Sequence, residues 1–122
     1  MLFACPQCRK KSLKISKALE LPPMARADEI TVQIAECGSC GSQAVAIYEE
    51  SRGGALSGES LAHRGYPLTQ EKFQLLGDLF NQCPDRFKRA CACPAHRELA
   101  RQVSGADKSG FFQKEPFLMK PA

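Results

Sequence analysis

Two short cysteine pairs carry the clearest chemistry in this sequence: Cys5 with Cys8, and Cys37 with Cys40. In each pair two residues separate the thiols, so a tight turn can direct both sulfurs toward one point. Together the pairs offer four soft donors, which suit a tetrahedral zinc ion with Zn–S bonds of about 2.3 Å. Because the same spacing occurs twice, it predicts a structural zinc site on these four cysteines.

The three remaining cysteines are followed by a histidine that could complete a second site. Cys83, Cys91 and Cys93 precede His96, and the four residues make a second set of four donors. The spacing of Cys91 and Cys93 is tighter than the usual separation of roughly two to four residues, so free thiols beside a polar histidine are the alternative. Two four-ligand sites would use all seven cysteines. The sequence therefore predicts two zinc ions.

Iron and redox chemistry are the alternatives for the first four cysteines. Four thiolates also bind iron in rubredoxin-like sites, since ligand type alone does not separate zinc from iron. A redox Cys-x-x-Cys pair usually opens a helix, whose N-terminus lowers the thiol pKa. Both pairs here lie between predicted strands, which favours a structural metal. An iron-containing electron-transfer protein remains the alternative function.

Length and hydropathy limit the other possibilities. The chain has 122 residues, which is the length of one domain or of one small domain with an appendage. No apolar run approaches the ~20 residues that a membrane-spanning helix needs, so no membrane partner is expected. The first residues lack the basic start and apolar core of a signal peptide, which predicts a cytoplasmic protein. There cysteines stay reduced, and seven of them indicate metal binding rather than disulfides.

The cysteine pairs alternate with strand patterns. Residues 30–34 and 44–48 have β-branched or alternating apolar residues and flank the second pair, which predicts a hairpin with the pair at its tip. Residues 13–15 alternate in the same way after the first pair. Gly41 stands where a left-handed turn would follow the second pair, a conformation that glycine adopts without steric cost.

Two helices are predicted in the second half of the chain. Thr69 is a suitable N-cap for a helix that ends near Asn81, with Phe73, Leu76, Leu79 and Phe80 on its apolar side. A shorter helix is predicted to begin at Pro94. Its His96, Leu99 and Val103 follow one another at three- and four-residue steps. This helix could therefore present His96 to a metal while it buries the other two side chains.

At the two cysteine pairs the chain resembles the zinc-ribbon superfamily. The resemblance rests on Cys5-Pro6-Gln7-Cys8, on Cys37-Gly38-Ser39-Cys40-Gly41 and on the strands beside them, over residues 2 to 49. It implies a zinc-stapled antiparallel ribbon of the kind found in bacterial zinc-ribbon proteins, and it does not specify a function. The sequence departs from the common pattern at Arg9, where a glycine is usual, and in the long insertion between the pairs.

These patterns together predict a small α+β fold. It consists of a three- or four-stranded antiparallel zinc-ribbon sheet, one packed helix and a C-terminal metal-bound helical segment. The predicted divisions are a ribbon over residues 1–50, a glycine-rich flexible connector over 51–67, a helical segment over 68–103 and a tail over 104–122. The tail either is disordered or docks as an edge strand.

Two groups of basic residues raise the question of a polyanionic partner. The net charge of +4 falls to about +1 once metal-bound thiolates are counted, so only local clusters can support nucleic-acid binding. The residues that could contact nucleic acid are Arg9, Lys10, Lys11, Lys14, Arg86, Lys88 and Arg89. Aromatic residues that could stack on bases are few: Tyr48, Tyr66 and Phe87. The alternative to nucleic-acid binding is that these cations are solvated or offset the negative charge of the thiolates.

The sequence does not indicate an enzyme. A catalytic zinc keeps an open position beside a general base, whereas both predicted sites have four protein ligands. We therefore expect a non-catalytic adaptor or regulatory module that binds a macromolecule. The sequence leaves open whether that partner is nucleic acid or protein, and a second copy of the chain is a further candidate.

Overall fold

The computed structural model describes residues 2–24, 27–52, 59–105, 110–112 and 115–121. Within these ranges the chain forms six strands and two helices. In chain order they are β1 (Leu2–Phe3), β2 (Leu13–Leu21), β3 (Glu29–Cys37), β4 (Gln43–Arg52), β5 (Glu59–Pro67), α1 (Gln70–Gln82), α2 (Pro94–Val103) and β6 (Phe117–Leu118). The fold is therefore α+β, as the sequence predicts. Neither helix is long and apolar enough to cross a membrane.

The six strands form one antiparallel meander in which each strand pairs with its neighbours in the chain. The sheet also curls back on itself. Phe3 in β1 forms a bridge with Pro121, which follows β6, and the Ala4 N–H donates to the Lys120 carbonyl at 3.0 Å. The two outer strands of the meander thus meet, and the sheet closes at the end where β1 and β6 lie.

One face of the sheet packs against both helices. Side chains at alternate positions of β2, β3 and β4 are fully buried there, because successive residues of a strand point to opposite faces. The helices contribute Leu76 and Phe80 from α1 and Leu99 from α2, all at most 1% exposed. The strand residues of this core are Leu19, Leu21, Ile30, Val32, Ile34, Val45 and Ile47.

The opposite face forms a second, smaller core inside the curled sheet. Ala44 and Ala46 in β4 are buried there beneath Phe3 and Met119. Gly65 in β5 pairs with Phe117 across the strands, and a Cβ atom at Gly65 would collide with the Phe117 ring. Small residues are therefore required on this face, because the closing strands leave little room above it.

A β-bulge in β2 allows one strand to serve both cores. The register of β2 against β3 shifts between Ile15 and Lys17, and the Ser16 hydroxyl donates to the Ile34 carbonyl at 3.3 Å. Because one extra residue reverses the side-chain alternation, Leu13 lies in the inner core whereas Leu19 lies under the helices. The bulge thus switches the buried face halfway along the strand.

Both predicted helices are confirmed, including their N-termini. The Thr69 side chain accepts a hydrogen bond from the Lys72 N–H and caps α1. Helix α2 has Pro94 in its first turn and buries His96, Leu99 and Val103, as the three- and four-residue spacing predicts.

Two parts of the predicted architecture are wrong. The sheet has six strands rather than three or four, and residues 59–67 of the predicted connector form β5, paired with β4 along its whole length. Residues 53–58, which carry three of the glycines behind that prediction, lie outside the described residues. Neither face of β5 shows an apolar repeat; Leu61, His63 and Gly65, for example, share one face. Hydrophobic periodicity therefore did not reveal this strand. The predicted tail contributes β6 as an edge strand.

Candidate metal centres

The first donor set, here called the turn site, lies where two turns meet at one end of the sheet. Cys5 and Cys8 lie on the turn between β1 and β2, whereas Cys37 is the last residue of β3 and Cys40 lies on the turn that follows it. The pairing of β2 with β3 places these turns side by side. The Gly38 N–H donates to the Ser12 carbonyl at 3.1 Å and joins one turn to the other.

The sulfur positions of the turn site fit a tetrahedral metal. All four ligand atoms lie within 4.8 Å of one another. The Sγ atoms of Cys5 and Cys40 are 3.6 Å apart, and those of Cys8 and Cys37 are 3.7 Å apart. Four sulfurs around one zinc ion would be about 3.8 Å apart, whereas a disulfide requires about 2.05 Å. The set therefore has the geometry of a metal site and not of two disulfides.

The two turns have the same backbone conformation with different residues. Gly41 follows the second pair with φ at 76°, as predicted, and its N–H donates to the Cys37 carbonyl at 3.0 Å. Arg9 follows the first pair with φ at 65°, and its N–H donates to the Cys5 carbonyl at 2.9 Å. Arg9 thus occupies the left-handed region that favours glycine, which costs about 1–2 kcal/mol for a residue with a side chain.

Hydrogen bonds to the sulfurs favour the thiolate form that metals bind. The Ser12 hydroxyl lies 3.1 Å from Cys37 Sγ, and this contact lowers the pKa of Cys37 to about 6 despite its burial. The Ser42 hydroxyl lies 2.9 Å from Cys40 Sγ and likewise lowers the pKa of that thiol. Burial has the opposite effect on Cys5, whose pKa is raised to about 11. A bound cation would offset that cost.

The second donor set, here called the helix site, is built from helix ends. Cys83 follows the last residue of α1, and its N–H donates to the Phe80 carbonyl. Cys93 is the N-cap of α2, and its Sγ accepts a hydrogen bond from the His96 N–H at 3.4 Å. Cys91 lies two residues earlier, at the end of the loop that joins the helices. The loop folds back and brings all three cysteines to His96.

The atoms of the helix site also converge on one point. The four ligand atoms lie within 4.8 Å of one another. Sγ of Cys83 is 4.0 Å from Sγ of Cys91 and 3.1 Å from Nδ1 of His96. Nδ1 is 3.4 Å from Sγ of Cys93. A zinc ion with sulfur and imidazole ligands would place them about 3.6–3.8 Å apart, so small adjustments would complete a tetrahedron.

A backbone carbonyl of β2 orients the histidine of the helix site. Nε2 of His96 lies 2.9 Å from the Glu20 carbonyl, and the residue is 2% exposed. When Nε2 carries the proton and donates to this carbonyl, the lone pair of Nδ1 faces the three sulfurs. This is the common arrangement around metal-bound histidines, in which an outer acceptor fixes the tautomer and the ring.

The thiol pKa values of the helix site are split as they are in the turn site. Burial raises the pKa of Cys83 to about 11. Burial also opposes the ionisation of Cys93, but its hydrogen bonds with His96, among them the one donated by the His96 N–H, lower its pKa to about 6. The position of Cys93 at the N-terminus of α2 suits a thiolate, because the helix dipole favours negative charge there.

The two sites lie at opposite ends of β2. The turn site is beside Leu13, which pairs with Cys37, and the helix site contacts Glu20. At ~3.3 Å per residue, these positions are about 20 Å apart along the strand. The two sites are therefore separate centres and not one cluster.

The predicted basic residues divide between these two ends. Arg9, Lys10, Lys11 and Lys14 are exposed beside the turn site. Arg86, Lys88 and Arg89 lie in the loop that precedes Cys91. The length of β2 separates the two groups. Arg89 forms an ion pair with Glu29 at 3.1 Å.

The groups that hydrogen-bond to the donor atoms of the two sites were not predicted from the sequence. Ser12 and Ser42 could have been predicted, because they flank the cysteine pairs and carry short hydroxyl side chains that can reach a thiolate. The Glu20 carbonyl had no such signal, because any residue in β2 would provide a backbone oxygen.

Comparisons with protein-family models, with curated proteins and with solved structures found no match for this chain. Statements about function therefore rest on the two donor sets and their surroundings. The donor sets are compatible with metal sites of the zinc-ribbon kind, and the cysteines are not paired as disulfides.

Proposed function

We propose that this protein is a non-catalytic module in which two zinc ions hold a surface that binds a macromolecule. The observation that carries the proposal is the convergence of two complete four-ligand sets, each within 4.8 Å. The turn site would be a four-thiolate zinc site of the zinc-ribbon type. The helix site would hold zinc through three thiolates and one imidazole.

The ligand sets support a structural role for both metals. Each set provides four protein ligands, so a bound zinc ion would keep no open position for a substrate or an activated water. A structural ion adds folding free energy, because an unfolded chain does not hold the ligands together. Small domains often need such support, since their cores are limited.

Elemental analysis of protein purified without added metal tests the proposal directly. We expect two zinc ions per chain, and one ion fewer in each of the variants Cys37→Ala and Cys91→Ala. Ser39→Ala is a matched control, because Ser39 lies in the same turn and contributes only its N–H to Cys37 Sγ. Protein that is folded and holds no metal would contradict the proposal.

Iron in the turn site is the second candidate, because four thiolates at 3.6–3.7 Å separations also suit iron. The same analysis separates the candidates. Iron with a visible absorption band would indicate a rubredoxin-like electron-transfer protein, and colourless protein with zinc would exclude it. A cytoplasmic location and a second copy of the chain as partner stay predictions of the sequence.

A further inference from the structure

We propose that the loop between Cys83 and Cys91 binds single-stranded nucleic acid, with Phe87 stacking on a base and Lys17 and Arg86 contacting the phosphates. This inference rests on the proposed function, since it names the partner of the metal-held surface. It depends on the exposed ring of Phe87, on a basic groove that the preceding residue Arg86 lines, and on a loop that is fixed at both ends.

Phe87 is the one available stacking ring among the three that the sequence offers. Its side chain is 63% exposed. Tyr66 instead packs edge-to-face on Phe112 with ring centroids 5.2 Å apart, and half-buried Tyr48 contacts the His63 ring at 5.4 Å. Stacking of an unpaired base on a solvent-exposed aromatic ring is favourable, and any of the bases can stack in this way.

The loop holds Phe87 in a fixed position. Its ends are Cys83 and Cys91, both ligands of the helix site. Between them, the Arg86 carbonyl accepts a hydrogen bond from the Glu20 N–H at 2.7 Å, and Asp85 Oδ1 accepts one from the Phe87 N–H at 3.3 Å. Because the loop is already ordered, stacking a base on Phe87 costs little conformational entropy.

A groove of about 360 Å³ lies beside the loop, lined in part by Lys17 and Arg86. The Lys17 ammonium donates to Asn81 Oδ1 at 3.2 Å and keeps further protons for an anion. Lys17 comes from β2 and Arg86 from the loop, so cations from two parts of the sequence meet here. The groove suits a phosphate backbone that runs next to the base held by Phe87.

None of the described residues that line the groove is acidic. The Asp85 carboxylate keeps its negative charge but accepts a hydrogen bond from the Phe87 N–H within the loop, and Glu29 is paired with Arg89. A zinc ion with three thiolates adds one negative charge at the helix site, on the side of Cys83. Lys17 and Arg86 line the groove itself, and exposed Lys88 follows in the same loop.

The chemistry favours a single strand over a duplex. Paired bases are stacked inside a helix and do not offer a face to Phe87, whereas the bases of a single strand can be splayed onto it. The same features do not distinguish RNA from DNA, because the shared chemistry is an unpaired base with its phosphates.

Fluorescence anisotropy with labelled oligo(U) and oligo(dT) of about 12 nucleotides tests the proposal on the full chain with both metals bound. We expect Phe87→Ala to weaken binding by about 5- to 100-fold and Phe87→Tyr to retain it. Lys17→Gln and Arg86→Gln should each reduce the slope of log affinity against log salt by about 0.7. Leu75→Ala removes a similarly exposed apolar side chain, 52% exposed on α1, and should change nothing.

Several outcomes would overturn the proposal. One is equal binding by Phe87→Ala and by the unsubstituted chain. Another is a loss of affinity in Lys10→Gln but not in Lys17→Gln, which would place binding at the turn site. Equal competition by duplex would exclude base stacking. If a chain with two metal ions binds no oligonucleotide, this inference fails while the proposed zinc module stands with a protein partner. A folded chain without metal would instead contradict the proposed function itself.

Discussion

The two donor sets lie at opposite ends of β2 and are assembled in different ways. The ligands of the turn site come from two turns between neighbouring strands and from the last residue of β3, so each cysteine pair is positioned by a few adjacent residues. The ligands of the helix site come from the end of α1, a loop and the start of α2, and His96 is oriented by a carbonyl of β2. One site depends on local turns, and the other depends on tertiary packing.

The difference matters for what each metal would stabilise. The turn site joins the β1–β2 turn to the β3–β4 turn, and buried Cys5 and Cys37 belong to the inner core with Phe3 and Met119. The helix site joins α2 to the sheet, which the larger core under the helices also does through Leu99. Loss of the first metal should therefore disturb the sheet itself, whereas loss of the second should loosen α2 and the loop that precedes it.

The largest effect is expected for Cys37→Ala, which removes a buried ligand of the turn site. We expect the free energy of unfolding to fall by about 5 kcal/mol, part of the ~10–16 kcal/mol that structural zinc contributes in small zinc-dependent folds. Thermal unfolding and metal analysis measure the effect, with Ser39→Ala as the control. A folded Cys37→Ala protein with full metal content would refute the assignment of the turn site.

A smaller effect is expected for Cys91→Ala at the helix site. We expect the loss of one metal ion and about 2–3 kcal/mol of stability, because the apolar contacts of α2 remain after the metal leaves. Amide hydrogen exchange should accelerate in α2 and in the loop at residues 84–90, and stay slow in β3 and β4. Equal loss of protection in the sheet would mean that the helix site supports the sheet as much as it supports α2.

Features set by neighbouring residues could be predicted from the sequence. The two Cys-x-x-Cys pairs, the Thr69 and Pro94 helix starts and the left-handed turn at Gly41 are of this kind, and local spacing revealed them. The grouping of Cys83, Cys91 and Cys93 with His96 followed instead from the donors that the two pairs leave over.

The rest depends on contacts between distant residues. β5 has no apolar alternation, and its Gly65 is covered by Phe117 from the far end of the chain. The closing bridge joins Phe3 to Pro121 across nearly the whole chain, and the bulge at Ser16 is defined by the pairing of β2 with β3, so neither has a local signal. The ligands of the helix site could be predicted, but the Glu20 carbonyl behind His96 could not, because strand pairing and helix packing together bring it there.

The outer contacts of the two sites differ in a way that mutation can sharpen. Ser12 supports Cys37 through a side chain, whereas Glu20 supports His96 through the backbone and cannot be removed by substitution. We expect Ser12→Ala to lower the metal affinity of the turn site by about 10-fold and to leave the helix site unchanged. Competition with a chelator measures both affinities in one titration. A similar loss at both sites would show that Ser12 acts on global stability and not on Cys37.

The smallest effects are expected for substitutions of the residue that follows each cysteine pair of the turn site. Arg9 and Gly41 occupy equivalent positions with φ at 65° and 76°, and only glycine adopts this conformation without strain. Arg9→Gly should therefore raise the free energy of unfolding by about 0.5 kcal/mol, since relief of strain exceeds the added entropy of the unfolded chain. Gly41→Ala should lower it by about 1 kcal/mol.

Thermal unfolding of these two variants at equal metal loading measures both changes. Gly38→Ala is the control, because Gly38 lies in the same turn, does not have a positive φ, and would place a Cβ atom in open space. If Arg9→Gly destabilises the protein, then the Arg9 side chain contributes more than its backbone conformation costs. The natural explanation would be attraction between its guanidinium and the negative charge of the metal-bound thiolates. That attraction should weaken as salt is added, whereas relief of backbone strain should not change with salt.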